Sequence, residues 1–493
     1  MIPKINFICL LLLYSSFIYS QGTGNTELPI SDETQTCIDC HETVTPGIVA
    51  DWRLSRHSKT TIRDAFSKDS HQRRISISNI PGEGYADYVI GCYECHNQNT
   101  ADHSDSFDHF DFKINVVVSP NDCRTCHPVE VEEYQDSKKG YANYNLSKNS
   151  VYHALVNSVT GLTELDNSKL VTSPASDLAK GETCFACHGT EVKVEGTKIV
   201  TSDLGDIEVP NLLNWPNQGV GRINPDGSRG ACTACHPRHS FSIEIARKPY
   251  TCGQCHLEPD VPAYNIFKES KHGNIFESIK DDWNWDEVPW QTGKDFTAPT
   301  CAVCHNSLLA NPQGEIIAER SHDFGNRLWL RIFGLIYSHP QPKSGDTYKI
   351  TNAENLPLPL TFDGRPAENF LQSRSEQEVN KNKMKNVCLS CHNTGWTESQ
   401  FEKIEKTAVE ADKMVLTSTL LMVKAWDKKI ADSSNPFDEY PEKLWMRQWL
   451  FYANSVRYAT AMMGPDYAAF KNGWWNLAEN LTKIQDFIDS HSK

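Results

Sequence analysis

Cys184-Phe185-Ala186-Cys187-His188, Cys232-Thr233-Ala234-Cys235-His236 and Cys252-Gly253-Gln254-Cys255-His256 follow one another in one stretch, trailed by Glu258-Pro259-Asp260 and Ser270-Lys271-His272-Gly273. In each Cys-x-x-Cys-His unit two thiols can add across the vinyl groups of a porphyrin while the adjoining histidine becomes an axial ligand to iron. Working outward, five more units occur: Cys37, Cys40 and His41; Cys92, Cys95 and His96; Cys123, Cys126 and His127; Cys301, Cys304 and His305; Cys388, Cys391 and His392. A random chain of this composition would contain roughly 0.02 such matches. A zinc ribbon gives no reason for the histidine after every second cysteine, and disulfides within pairs would close only small local loops. The eight units therefore predict eight covalently attached c-type haems.

Haem also sets the fold class. The 493 residues would suggest several domains if cores were made of side chains alone. Eight apolar macrocycles supply much of the buried surface instead, and the segment between His236 and Cys252 is too short for a core of its own. The fifth and sixth haems are thus expected to be neighbours. The expectation is a mainly α fold: a haem-packed multihaem cytochrome c body with few short strands over residues 21–395, then a long C-terminal helical bundle over 396–493.

Residues 1–20 read as a signal peptide, with Lys4, an apolar run from Ile5 to Tyr14 and a serine-rich end. Cys9, the one cysteine outside the motifs, lies in that run. No other stretch is apolar for long enough to span a membrane, so the mature protein is expected in the periplasm without a membrane span. The net charge of −15 makes nucleic acid an improbable partner.

Local patterns are sparse. Lys113 to Pro120, with three consecutive valines, reads as extended, and residues 204–210 as a small hairpin arm. Residues 340–366 read as a proline-interrupted loop. Past the eighth motif, Phe401, Ile404, Ala408, Ala411 and Val415 keep helical spacing. A second helix is expected to start at Pro441, and a third to follow Gly464-Pro465 with the seam Tyr467, Phe470, Trp474, Leu477, Leu481, Ile484 and Ile488. That seam fits either an intramolecular bundle or a subunit interface.

Ten histidines lie outside the motifs. Low-spin electron-transfer haems need a second strong-field ligand. Eight closed irons would use eight of the ten, and seven suffice if one iron is open. His57, His109, His153, His239, His272, His322 and His339 are placed for ligation; His103 competes with His109, while His71 and His491 lie in polar or terminal surroundings.

With the motifs in hand, the chain resembles the octahaem hydroxylamine oxidoreductase family from about residue 34 onward. The likeness includes text between motifs: Thr45 to Val49, Gly219 to Gly227, Ala234 to Ser242, and Ser270 to Gly273. It implies that the site of Cys184, Cys187 and His188 carries the catalytic haem, open on its distal face, while seven haems relay electrons. It also implies a homotrimer joined through C-terminal helices. Many members carry an Asp-His pair after the sixth motif; here Asp260 is followed by Val261. Oxidative members use a cross-linked tyrosine; Tyr452, Tyr458 and Tyr467 lie in roughly the right C-terminal region, and none is assigned to that role. The reading is an oxidoreductase for small nitrogen species that reduces nitrite or hydroxylamine with His188 and Asp260 at the site, served by a redox partner protein or a quinone-linked cytochrome. Oxidation of hydroxylamine, reduction of another small oxyanion such as a sulfur species, and a purely electron-carrying cytochrome are the alternatives.

Overall fold

A computed structural model describes residues 28–202, 205–334 and 336–492; the expected signal peptide lies outside the described residues. Helix accounts for 47% of the structure and the strands are few and short, so the fold is mainly α. Among the described residues no helix is long and apolar enough to cross a membrane.

Most motifs begin on a short helical turn. Cys92–His96, Cys184–His188 and Cys301–His305 are single turns, and the first and last motifs sit on or at the end of the longer helices Asp32–Val44 and Arg374–Leu389. One turn places cysteines three apart on the same face with the histidine next to them. Local capping sets these turns: Glu94 closes a box onto the Gly91 amide at 2.8 Å, and Asp122 does the same at Ser119 at 2.6 Å.

The strands form small antiparallel hairpins and one three-stranded sheet. The expected extended segment contributes Phe112–Asn115, paired with Ser106–His109, but stops before the valines. There Asp105 accepts from the Val117 amide at 2.7 Å and Asn115 donates to the Val117 carbonyl at 2.9 Å, so side chains take over from the ladder. The hairpin arm expected at 204–210 is larger, Lys193–Ser202 with Gly205–Leu213; Leu204 lies outside the described residues. A second arm, Leu162–Asp166 with Lys169–Ser173, is exposed along its whole length. It turns through Asn167 and Ser168, both at positive φ, the conformation of a two-residue hairpin turn. The Pro340 to Pro366 segment is largely irregular and buries Leu358 and Leu360 against the C-terminal core.

That core belongs to the helices. Thr394–Asp427 buries the expected face of Phe401, Ile404, Ala408, Ala411 and Val415. The second helix starts at Tyr440 with Pro441 in its first turn, and runs through a π-helical stretch, Arg447–Tyr452, into Ala453–Met462. The third is interrupted: Tyr467–Lys471 is a π turn, and Trp474–His491 begins afresh after Gly473, where a Cβ would run into the Ala468 carbonyl. Tyr467, Leu477, Ile484 and Ile488 are wholly buried within the chain, whereas Phe470 is 70% exposed. The seam is therefore satisfied by the chain's own bundle, reinforced by buried amides: Gln448 donates to the Leu477 carbonyl at 3.1 Å and Asn480 to Gln448 at 2.8 Å.

Candidate functional site

The attachment thiols of different motifs meet in a definite order. Cys123 lies next to Cys232, Cys187 next to Cys255, and Cys252 next to Cys301. Cys37 and Cys92, Cys95 and Cys126, Cys235 and Cys252, and Cys304 and Cys388 lie within electrostatic reach of each other. The short His236 to Cys252 connection thus brings the fifth and sixth motifs side by side, and the fourth touches the sixth.

Motif histidines are oriented from behind. The Nδ1 of His96 lies 2.8 Å from the Asn115 carbonyl, that of His188 3.3 Å from the Ala142 carbonyl, and that of His41 2.7 Å from Thr45 Oγ1. An Nδ1–H held by a carbonyl leaves Nε2 as the metal-facing lone pair. Burial lowers His236 and His305 to about 4 and His256 to about 3, keeping these rings neutral as iron ligation requires.

Several non-motif histidines face motif histidines at a telling distance. Ring centroids are 6.2 Å apart for His41 and His109, 6.4 Å for His57 and His127, and 6.2 Å for His272 and His392. Two imidazoles each bound to one iron at about 2.0 Å have centroids roughly 6.3 Å apart. These pairs leave room for one iron each. His239 lies in the field of His96 and His322 in that of His236. His339 gives its Nδ1 to the Pro340 carbonyl at 2.6 Å and keeps a buried Nε2 without a protein partner. His153 stands exposed on the helix Ser150–Thr160.

His103 is differently engaged. Its side chain is fully buried, with Nδ1 2.8 Å from Asp105, and Nε2 3.3 Å from Asp122 and 3.9 Å from Asp226. Burial alone would lower this ring, yet the hydrogen bond to Asp105 and the nearby Asp122 carboxylate outweigh it and push it up to about 10. His103 is thus an imidazolium inside a carboxylate cage, which separates it from His109. His71 and His491 are exposed, the latter stacked on Phe487.

The fourth motif is packed backbone to backbone. Asn143 donates to the Gly189 carbonyl at 2.6 Å, Asn217 to the Phe185 carbonyl at 3.1 Å, and the Val220 amide to the Cys187 carbonyl at 2.9 Å. Gly189 has φ +92°, and a Cβ there would strike the Arg222 backbone, as one on Gly219 would strike Gly189. Close approach explains the glycine-rich text from Gly219 to Gly227.

The charged neighbours of His188 are Asp260 and Lys139. Asp260 also acts on Cys184 and Cys187, and burial raises its carboxyl above the usual range while His188 pulls it back. Asn454 donates to the Asp260 carbonyl at 3.2 Å, and Tyr467 to Glu258 at 2.6 Å, so the C-terminal helices hold this segment in place. Tyr458 lies in the field of both Asp260 and Arg331. Tyr458 is one of the tyrosines the sequence singled out, whereas Arg331 carried no motif signal.

Residues 24–143 match the family described as cytochrome c7 and related cytochrome c, residues 122–207 that of cytochrome c554 and c-prime, and residues 224–319 that of seven times multi-haem cytochrome CxxCH. A solved structure described as a hypothetical multiheme protein is similar with a TM-score of 0.88 and 43% identity, covering 94% of this chain and 96% of its own. The reducing HAO-like protein complex of Kuenenia stuttgartiensis shares the fold, with a TM-score of 0.60 and 18% identity over 93% of this chain and 85% of its own. The probable nitrite reductase-hydroxylamine oxidoreductase fusion protein of Kuenenia stuttgartiensis is 23% identical over 445 residues, which are 87% of this chain and 41% of that protein. The chain spans less than half the length of this relative.

Proposed function

Since this chain belongs to the hydroxylamine oxidoreductase-like multihaem c-type cytochromes, we propose that it is a periplasmic oxidoreductase that carries eight covalent haems and reduces nitrite or hydroxylamine at its fourth site. The observation that carries this reading is that His188 has a half-buried carboxylate, Asp260, and a lysine as its charged neighbours, whereas His41, His127 and His392 each face a second imidazole. His57, His109, His239, His272 and His322 serve as distal ligands to the third, first, second, eighth and fifth irons, and His153 and His339 are the remaining distal candidates.

When bound, haem supplies the stored electrons and an iron position for the substrate nitrogen. The chain supplies the rest. Ala142 and the Gly219 to Arg222 backbone fix His188, and Asp260, whose carboxyl burial raises, is the group that delivers a proton to the substrate. Val261 provides no second proton-transfer group, which favours reduction over the oxidation of hydroxylamine. Trimeric assembly is part of the proposal. It uses surfaces other than the buried seam, such as the exposed Phe470, Trp475 and the Leu162–Ser173 hairpin.

The test is low-temperature EPR of the purified holoprotein with and without nitrite, hydroxylamine and sulfite, paired with assays in both directions. One high-spin signal perturbed by the nitrogen species, with faster viologen-driven reduction than cytochrome-coupled oxidation, is expected. Eight low-spin signals insensitive to all three would make the protein an electron conduit, and a response to sulfite alone would move it to sulfur chemistry.

A further inference from the structure

The helix that follows the π-helical stretch turns one buried amide toward the Asp260 segment. A π turn holds more residues than an α turn and so rotates whatever follows it. Gln448, inside the stretch, donates to the Leu477 carbonyl within the bundle, whereas Asn454, just after it, donates out of the bundle to the Asp260 carbonyl at 3.2 Å. Asn454 is wholly buried. Its amide nitrogen also donates to the Leu450 carbonyl at 2.7 Å, and its oxygen accepts from Arg457 at 3.2 Å. Two carbonyls on the nitrogen and a guanidinium on the oxygen leave the amide one orientation.

Arg457 is fixed in its turn. It is buried, ion-paired with Asp412 of the helix Thr394–Asp427, and reaches the Ile332 carbonyl at 3.3 Å. Asp412 accepts from the Ser338 amide at 3.2 Å and from the Ser338 hydroxyl at 2.7 Å. A chain of bonds thus runs from the long helix through Asp412, Arg457 and Asn454 to the peptide of Asp260. Burying an amide and a guanidinium is costly unless their bonds are made, and a network whose bonds are made is rigid. An apolar pair would fill the same space at less cost. The segment on which the chain ends adjoins the fourth motif, since Cys255, shortly before Asp260, lies next to Cys187.

We propose that Asn454, backed by Arg457 and Asp412, is a positioning residue for the reduction, which holds the Asp260 peptide so that its carboxyl is aimed at the substrate. The inference rests on the reading of Asp260 as the proton donor of the fourth site. Asn454 acts on the reaction through Asp260 alone, and a misplacement of about 1 Å by a residue away from the chemistry can cost about 10²-fold in rate.

Viologen-driven nitrite reduction is measured on the holoprotein as wild type, Asn454→Ala, Asp260→Asn and the double variant, with covalent haem content and denaturation midpoint determined for each. Asn454→Ala is expected to lower kcat by roughly 10-fold with KM for nitrite changed less than about 3-fold. In the Asp260→Asn background the same substitution is expected to change kcat less than about 2-fold, because the group it positions is gone, while its effect on the denaturation midpoint persists. Arg457→Lys, which keeps the charge toward Asp412 but not the fork that spans Asn454 and Ile332, is expected to give a smaller loss of about 3-fold with the same dependence on Asp260. An equal fall of kcat in both backgrounds assigns Asn454 to general stability and overturns the inference, as does an unchanged kcat or a loss confined to KM. Asp260→Asn that reduces nitrite at the wild-type rate, or wild type that does not reduce it, overturns the fourth-site reading and this inference together. If Asn454→Ala matures poorly, Asn454→Asp, equal in size and still an acceptor for Arg457 but without the amide donors, carries the same comparison.

Discussion

Replacing His103 by glutamine removes a cation from a cage of three buried carboxylates. The ring is held by Asp105 at 2.8 Å and Asp122 at 3.3 Å, with Asp226 at 3.9 Å. Its midpoint moves from 6.5 to about 10, which corresponds to roughly 5 kcal/mol of coupling between the charged ring and the fold. Removing one partner of a buried pair costs a similar amount, about 3–5 kcal/mol. Because the folded midpoint lies above the unfolded one, the stabilisation is complete below pH 6.5 and is lost as the pH rises through 10. The stability difference between wild type and His103→Gln is therefore expected to be about 5 kcal/mol at pH 6, roughly 3 kcal/mol at pH 8 and under about 1 kcal/mol at pH 10. The assay is the denaturation midpoint of the matured holoprotein across that range, with His103→Gln/Asp226→Asn as a second variant that relieves the excess negative charge and recovers part of the loss. A pH-independent difference, or one below about 1 kcal/mol at pH 6, would refute the caged imidazolium.

Intact mass of the denatured mature protein should show eight covalent haems, and a fully matured form with six or fewer would defeat the octahaem reading. His109→Ala should remove one bis-histidine low-spin EPR signal, whereas His103→Gln should leave all such signals in place, and the opposite pattern would reverse the two assignments. Asp260→Asn should lower the rate of nitrite reduction by about 10² to 10⁴ with haem content unchanged. Gly189→Ala, which pushes a side chain into the Arg222 backbone, should reduce the yield of matured protein.

The attachment motifs and the apolar face of Thr394–Asp427 were legible because each is written in consecutive or periodic residues. His103 and His109 were not separable in the sequence, since the difference comes from Asp105, Asp122 and Asp226 converging from three segments. The last helix kept its apolar period through Phe470, yet the chain breaks at Gly473 and leaves Phe470 outside. Periodicity records which residues are apolar, and steric crowding at one carbonyl decides where a helix restarts. The hairpin at Leu162 escaped notice because its turn uses Asn167-Ser168 rather than a glycine.

The order in which thiols of different motifs meet has a consequence for failure tolerance. With a haem on each motif, the thiols join first to second, second to third, third to fifth, fifth to sixth, sixth to seventh and seventh to eighth, and the fourth meets the sixth through Cys187 and Cys255. As a graph this is a line with one side branch, and the sixth site is the vertex whose removal strands that branch. Damage at either end shortens the line but leaves another terminus for exchange with a redox partner. Loss of the haem on Cys252 and Cys255 leaves every other vertex in place and still removes the contact through which Cys187 reaches the line.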